Sequence, residues 1–254
     1  MKNEIKFYWV IGGSIVLSVF ILSSFSTLRS SVSYFFPNKD DISVTGSTRM
    51  DFTSNLIVWK GQFIKKDMNL KNAYSQIKKD KKTIQDFLLS KNVEDSEIVF
   101  KSINIIKDYK NKSKYNNDGD KVDSEKIFNG YWLSQEVEIT SKNVDLIENV
   151  SNDITELIEQ DVYITSSPPK YYYTNLGELK IEMIQNAAED GLLRAQTSVK
   201  GGGGKLGELL ETSIGVFQIL GENSNDSFSW GGTLNTSHKK KTAYVNVKQR
   251  YEID

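Results

Sequence analysis

The chain has 254 residues, of which 38% are hydrophobic and 26% charged, so it can form one large globular domain or two small ones. This composition excludes a disordered or fibrous protein, and a net charge of −1 provides no overall positive field for binding nucleic acid. The absence of Cys and the single His238 exclude disulfides, Cys-ligated metal centres, thiol nucleophiles and sites that need two imidazoles.

The first predicted element is a transmembrane helix. Residues 7–28 contain no charged side chain and are long enough to cross the hydrocarbon core of a membrane. Lys2 and Lys6 precede this segment and only Arg29 follows it closely, so the positive-inside rule places the N-terminus in the cytoplasm and the bulk of the chain in the periplasm. We therefore predict a cytoplasmic tip and anchor over residues 1–30. A cleaved signal peptide is the alternative, and both interpretations export the chain from about Ser31.

A short polar tether, residues 31–40, leads to a domain predicted over residues 41–254. Apolar side chains at three- and four-residue steps, such as Ala73, Ile77, Ile84 and Leu88, predict helices over residues 70–91, 143–160 and 175–195. Alternating apolar and polar residues predict strands over residues 42–44, 55–65, 97–109, 131–140, 162–174, 207–220 and 242–253. This order indicates an α+β domain of mainly antiparallel sheet with about three helices.

Several local features refine this scheme. Thr45-Gly46-Ser47 predicts a bend after the first strand, and Gly61 predicts a bulge or a close backbone approach. Residues 110–130 form a polar excursion that we expect to be a hairpin tip, and Pro168-Pro169 interrupt a strand at a sheet edge. Four glycines, residues 201–204, are expected to end the third helix, and Ser141 or Asn143 to cap the second.

A set of motifs, in this order, resembles the SIMPL-domain family of exported bacterial proteins, often labelled oxidative-stress-defence proteins. The opening Ile42-Ser-Val-Thr-Gly46 is similar to the first strand of that family. The third helix with Ala187, Arg194 and Ala195, followed by Gly204-Lys205-Leu206-Gly207, is similar to its most specific signature. The resemblance extends over residues 41–254. It implies export or membrane anchoring, a link to envelope and stress phenotypes, and large closed homo-oligomers, without a common catalytic mechanism.

Patterns that could carry catalysis or bind a cofactor fail in detail. The glycines before Lys205 resemble a phosphate loop, but Leu206 stands where that motif needs Ser or Thr. Asn116, Asp118, Gly119 and Glu125 match positions of a calcium loop, but Lys114 occupies its first ligand position, which favours a solvated turn. His238 lies in a polar loop without a nucleophile elbow, and Glu136 and Glu138 share one strand without a second acidic element. We therefore predict no catalytic residue, cofactor or metal site.

Two groups of aromatic side chains are candidates for an interface or a ligand contact. Phe228 and Trp230 lie in a polar loop beside two glycines, and Tyr171, Tyr172 and Tyr173 follow the Pro pair. Packing of these rings onto the domain's own core is the alternative. The lysine triplet of residues 239–241 is expected to form a solvated loop.

The leading hypothesis is a non-enzymatic, membrane-anchored, exported SIMPL-domain protein that forms a homo-oligomer and has a structural or stress-protective role in the cell envelope. With no Cys and four Met, any antioxidant role is expected to be indirect. The alternative is a monomeric binding module for a small ligand, peptide or glycan. An undiscovered hydrolase is a third hypothesis.

Overall fold

The computed structural model describes residues 40–116 and 121–254. Within those residues the helices are α1 (Leu70–Ser90), α2 (Val144–Asp153) and α3 (Leu176–Gly201), with short 3₁₀ helices at Asp95–Glu97 and Ile154–Gln160. The strands are β1 (Asp41–Thr53), β2 (Leu56–Asp67), β3 (Ile98–Phe100), β4 (Asn104–Tyr115), β5 (Lys121–Ser141), β6 (Ile164–Ser166), β7 (Lys170–Tyr172), β8 (Leu206–Ile214), β9 (Gln218–Gly221), β10 (Thr233–Leu234) and β11 (Lys240–Ile253). The predicted α+β class, with three helices and mainly antiparallel sheet, is confirmed.

The predicted membrane anchor lies outside the described residues. Across residues 40–116 and 121–254, no helix has both the length and the apolar character needed to span a bilayer.

A six-stranded sheet forms the larger part of the fold. Its strand order is β3-β5-β2-β6, with β4 also paired to β5 and β7 also paired to β2. The antiparallel β2–β5 pair runs from Ile57 opposite Ser141 to Asp67 opposite Tyr131. Helices α1 and α2 bury their apolar stripes against one face of this sheet. The fully buried side chains of this core include Ile57, Trp59, Phe63, Ile77, Ile84, Leu88, Leu133, Ile139, Ile147 and Ile154.

Gly61 allows the largest side chain of this core to lie along its own strand. A Cβ at Gly61 would lie 2.6 Å from the Trp59 ring, and the residue stays in register opposite Val137. Trp59 Nε1 donates to Ser166 Oγ at 2.9 Å, which satisfies the one polar group of the buried indole. Neither predicted role, a bulge or a close backbone approach, describes this glycine: the ladder is regular, and the group that approaches it is the Trp59 side chain.

The second sheet has five strands. Its order is β1-β11-β9-β10, with β8 also paired to β11. The antiparallel β9–β11 pair sets Lys241 opposite Gly221 and Ala243 opposite Ile219, whereas β10 runs parallel to β9. A second core lies between this sheet and the first part of α3. Its buried members are Leu179, Met183, Ala187, Ile219, Ala243, Val245 and Val247.

The chain divides into two compact units. One comprises residues 40–46 with Glu189–Ser213 and Lys248–Asp254, and in it Arg250 pairs with Asp41 at 2.8 Å and with Glu211 at 3.2 Å. The other comprises Ser47–Ala188 and Ile214–Val247 and contains both hydrophobic cores.

The helix ends follow the sequence closely. Asn143 caps α2, because its Oδ1 accepts a hydrogen bond from Leu146 N at 3.2 Å. The glycines end α3 as predicted: Gly204 N donates to Val199 O at 3.1 Å, and Gly203 adopts a φ of +84°. The second helix is shorter than predicted, because its last residues form the 3₁₀ helix that ends at Asp161 with a φ of +60°.

Three strand predictions were wrong in detail. No bend occurs at Thr45-Gly46-Ser47, because β1 is continuous from Asp41 to Thr53. The strand predicted over residues 97–109 is divided into β3 and β4 where the Gln135 amide donates to Lys101 O at 2.7 Å in place of a strand partner. The strand predicted over residues 207–220 is likewise divided into β8 and β9, and at the break Gly215 N donates to Asn246 O at 2.8 Å.

The polar excursion of residues 110–130 is a two-stranded ribbon rather than a loop. We call residues 109–115 and 121–128 the arm: Tyr109 lies opposite Phe128, Lys114 lies opposite Asp123, and a register shift separates Asp108 from Tyr109. Residues 117–120, at the predicted tip, lie outside the described residues. On one face of the arm, the Phe128 ring lies 5.8 Å from Tyr109 and 5.2 Å from Tyr131 in edge-to-face contacts. The arm therefore extends β4 and β5 beyond the strands that flank them.

Candidate functional site

Tyr171, Tyr172 and Tyr173 differ in burial and in the residues that they contact. Tyr171 lies opposite Ile57 in the β2–β7 pair and is buried, and its hydroxyl donates to Glu148 Oε1 at 2.9 Å. Tyr172 is half-buried opposite Leu56. The Tyr173 ring packs against Phe52, with centroids 4.9 Å apart. The structure thus brings two of the three predicted contact residues into packing roles and leaves Tyr172 partly accessible.

Lys241 is the unexpected member of this region. It is the second residue of β11 and only 2% of its surface is exposed. Its Nζ donates to the Tyr171 carbonyl at 2.7 Å. Burial lowers the pKa of the Lys241 amine from its ordinary value of 10.5 to about 8.

A small cavity of about 50 Å³ lies between these groups. Its lining is mainly apolar and aromatic, with Lys241 as the single cationic side chain. The lining residues are Phe52, Tyr171, Tyr172, Tyr173, Leu176, Ile219, Leu234 and Lys241. Small-molecule sites combine an apolar wall with a few polar groups, and this cavity has that combination at a volume that fits only a molecule of a few atoms.

The neighbouring Lys239 has the opposite environment. Its Nζ forms ion pairs with Asp145 and with Glu148, the latter at 3.0 Å, and these carboxylates raise the pKa of the Lys239 amine. Glu148 also accepts the Tyr171 hydroxyl, and this hydrogen bond together with burial raises the pKa of Tyr171 to about 12. Asp145 and Glu148 therefore pair with Lys239 beside the cavity, and among the residues that the structure describes no carboxylate forms an ion pair with Lys241.

The loop that carries Phe228 and Trp230 presents its rings away from this cavity. Phe228 meets Tyr244 edge to face at 5.5 Å, whereas the Trp230 side chain is fully exposed. The Gln218 side chain holds the loop through two hydrogen bonds to the backbone of Ser229, at 2.7 and 3.1 Å. Asp226 holds its first part by accepting from Gly221 N at 2.9 Å. Trp230 is thus an exposed aromatic side chain on a loop whose backbone is held by hydrogen bonds at the preceding residue.

The other sequence candidates have structural roles. Lys60 bridges Glu136 and Glu138 at 3.0 Å each, and its hydrogen bond lowers the pKa of Glu138, which is opposite to what a general acid requires. Lys114 pairs with Glu125 at 3.3 Å, at the two ends of the calcium-like pattern. His238 lies beside Asn235, with Nδ1 3.0 Å from Asn235 Nδ2. In residues 40–116 and 121–254, no group of three or more acidic or His side chains is arranged to hold a metal ion.

The sequence prediction missed Lys241, although a signal for it exists. The triplet of residues 239–241 was interpreted as a solvated loop, which is wrong for Lys241. The buried apolar residues of β11, Ala243, Val245, Val247 and Tyr251, occupy alternate positions, and Lys241 has the same strand parity. Extending the alternation by one step places Lys241 on the inward face.

The residues of the helix signature lie at close packing points. Ala187 and Ala195 are fully buried on α3, and Arg194 pairs with Asp190 at 2.8 Å on the exposed side of the helix. After the helix, a Cβ at Gly204 would lie 3.2 Å from Val199 and one at Gly207 would lie 3.0 Å from Glu252. The signature is therefore mainly a packing motif.

The comparison with protein families agrees with these motifs. The family model described as SIMPL, protein of unknown function (DUF541), matches residues 42–247. The chain belongs to the SIMPL family. A search of curated proteins gives no match. The family resemblance predicted from the helix signature and the terminal strands is confirmed, whereas the description of the SIMPL family specifies no reaction or ligand.

Proposed function

We propose that this SIMPL protein is a non-enzymatic, membrane-anchored and exported protein that self-associates and has a structural or stress-protective role in the cell envelope. The uncharged segment of residues 7–28 supports the anchor. An exposed apolar surface on the described domain supports self-association, and it is the observation on which the proposal depends.

This surface, which we call the outer patch, comprises Ile106, Ile127 and Trp132. Ile106 lies opposite Trp132, and Ile127 lies opposite Lys110, so strand alternation puts all three on one face of the β4–β5 pair. Their exposed fractions are 52%, 42% and 39%. Since a two-stranded ribbon is marginally stable in water, packing of this face against a second copy would stabilise the arm.

The free edge of β4 is unsuited to pairing with another strand. Lys107, Lys110, Lys112 and Lys114 follow one another along it, and lysines on an edge strand oppose edge-to-edge association. The apolar side chains of the outer patch, rather than the backbone edge of β4, are therefore expected to form the contact between copies.

Light scattering of the full chain in detergent, across a range of concentrations, tests self-association. We expect a discrete multimer for the wild type and a loss of mass for the double variant Ile106→Glu and Ile127→Glu, because each Glu would be desolvated in the interface. Ile181→Glu is the matched control, since Ile181 is exposed on α3 outside the arm and should leave the mass unchanged. A monomer at every concentration would contradict the proposal. An equal loss of mass in the outer-patch variant and in the control variant would also contradict it.

The cavity at Lys241 favours a second candidate function, a monomeric extracytoplasmic binding module for a small ligand. The support is a cavity of about 50 Å³ whose lining is mainly apolar and aromatic and includes the buried Lys241. Saturable binding by a chain that remains monomeric in the same light-scattering experiment would favour this candidate over self-association.

A further inference from the structure

The amine of Lys241 lacks an anionic partner in the described part of the chain. An ammonium group has three donors, and Tyr171 O takes one of them at 2.7 Å. Asp145 and Glu148, the carboxylates beside the neighbouring Lys239, are paired with that lysine instead. Buried charges in proteins are normally paired, so this arrangement leaves the amine able to bind an external anion.

The cavity beside this amine limits the size of such an anion. A space of about 50 Å³ holds roughly three to five atoms of the size of a water molecule. Three of its lining residues, Phe52, Leu176 and Ile219, offer no hydrogen bonds through their side chains. The ligand that fits both features has one charged group and a short apolar tail.

We propose that Lys241 and the surrounding cavity form a binding site for a short monocarboxylate of roughly two or three carbon atoms. The carboxylate would accept the two remaining Nζ donors, and its alkyl tail would contact Phe52, Leu176 and Ile219. This inference rests on the second candidate function and is independent of self-association.

The chemistry of the site favours a carboxylate over a phosphate. A phosphate group carries more charge and more acceptor oxygens than one ammonium can satisfy, and a closed apolar wall would leave those oxygens unpaired. A carboxylate matches a single positive charge. Leu234 lines the cavity and is 59% exposed, so we expect a ligand to enter beside it.

Titration of the full chain in detergent with propionate tests the site, with propionamide as a neutral analogue of the same shape. Ligand-observed saturation-transfer NMR reports the dissociation constant for each compound. We expect saturable propionate binding in the micromolar to millimolar range and a roughly 10- to 100-fold weaker response for propionamide. Equal binding of the two compounds, or binding of neither, would overturn the proposal.

Three variants test whether propionate binds beside Lys241. Lys241→Met keeps the length of the side chain without its charge and is expected to weaken propionate binding by roughly 10- to 100-fold. Lys240→Met is the matched control, because Lys240 is the exposed neighbour and should bind propionate like the wild type. Leu234→Trp, which retains Lys241 and fills the entrance, should also abolish binding. Retention of binding in Lys241→Met or Leu234→Trp would overturn the assignment, whereas the mass from light scattering would remain a separate test of assembly.

Discussion

Three consecutive lysines in this chain occupy three different environments. Lys239 is paired with Asp145 and Glu148, Lys240 is exposed, and Lys241 is buried beside the Tyr171 carbonyl. Because successive residues of a strand point to opposite faces, a run of like charges at the start of β11 cannot be solvated throughout. The residue that faces inward carries the full cost of desolvation.

Replacement of Lys241 by Met should therefore stabilise the ligand-free protein near neutral pH. The fall in pKa from 10.5 to about 8 corresponds to about 3 kcal/mol of unfavourable burial when the amine is charged. The lost hydrogen bond to Tyr171 O offsets part of this, so we expect a gain of about 1–2 kcal/mol in the free energy of unfolding at pH 7. Urea unfolding of Lys241→Met in buffers without carboxylates measures this gain, with Lys240→Met as the control.

The pH dependence of this effect has a defined sign. Below about pH 8 the amine is charged in both the folded and unfolded chains, so the cost of burial is complete. Between about pH 8 and 10.5 the folded chain loses this proton first, and the wild type is expected to gain stability relative to Lys241→Met. A stability difference that stays constant from pH 7 to 10, or one that matches Lys240→Met, would contradict the buried charge.

At the scale of elements, the arm depends on the geometry at its base. Gly130 has a φ of +108°, next to the register shift between Asp108 and Tyr109. A Cβ at this position would lie 2.8 Å from the Asp67 carbonyl oxygen. The backbone therefore turns at a point where only glycine avoids both strain and a clash.

We expect Gly130→Ala to lower the free energy of unfolding by about 2–3 kcal/mol, because the side chain combines an unfavourable φ with a backbone contact that cannot relax easily. Gly177→Ala is the matched control: Gly177 lies in the first turn of α3, and a Cβ there would meet no atom within 4 Å. That change should raise stability by up to about 1 kcal/mol. Denaturant unfolding of both variants measures these changes. Equal changes in the free energy of unfolding for the two variants would refute the prediction.

The sequence predicted helices better than strand ends, for a physical reason. Ala73, Ile77, Ile84 and Leu88 repeat at helical steps and are all buried, so the pattern within α1 was sufficient. The arm has no such pattern, because the cross-strand pair of Lys112 and Glu125 is exposed and polar. Such a strand is stabilised by the other segment of the same chain with which it pairs. Local periodicity does not reveal which segment that is.

The candidate site was predictable only in part, for a similar reason. The tyrosines of residues 171–173 were identified from their side chains alone. Their association with Lys241 depends on the approach of β7 to the start of β11, where Tyr171 N donates to Thr236 O at 2.8 Å and Tyr171 O accepts from Lys241. These contacts join residues 65 to 70 positions apart, beyond the range of any local pattern.

At the scale of the whole molecule, the absence of cysteine makes the proposed topology testable with single-cysteine variants, since the wild type provides no background labelling. Residue 3 precedes the uncharged segment of residues 7–28, and Ser237 lies in an exposed part of the loop before β11. If residues 7–28 form an uncleaved anchor, these two positions lie on opposite sides of the inner membrane. The positive charges at Lys2 and Lys6 would keep residue 3 on the cytoplasmic side.

We therefore expect a membrane-impermeant maleimide to label Ser237→Cys in spheroplasts, and to label Asn3→Cys only after the membrane is disrupted. Both cysteines should remain on polypeptides of the full mass, because an anchor retains the segment that a signal peptidase would remove. Loss of the Asn3→Cys signal from a shortened chain would instead indicate cleavage and a released domain. Protection of Ser237→Cys until lysis would contradict export itself, and with it the envelope role.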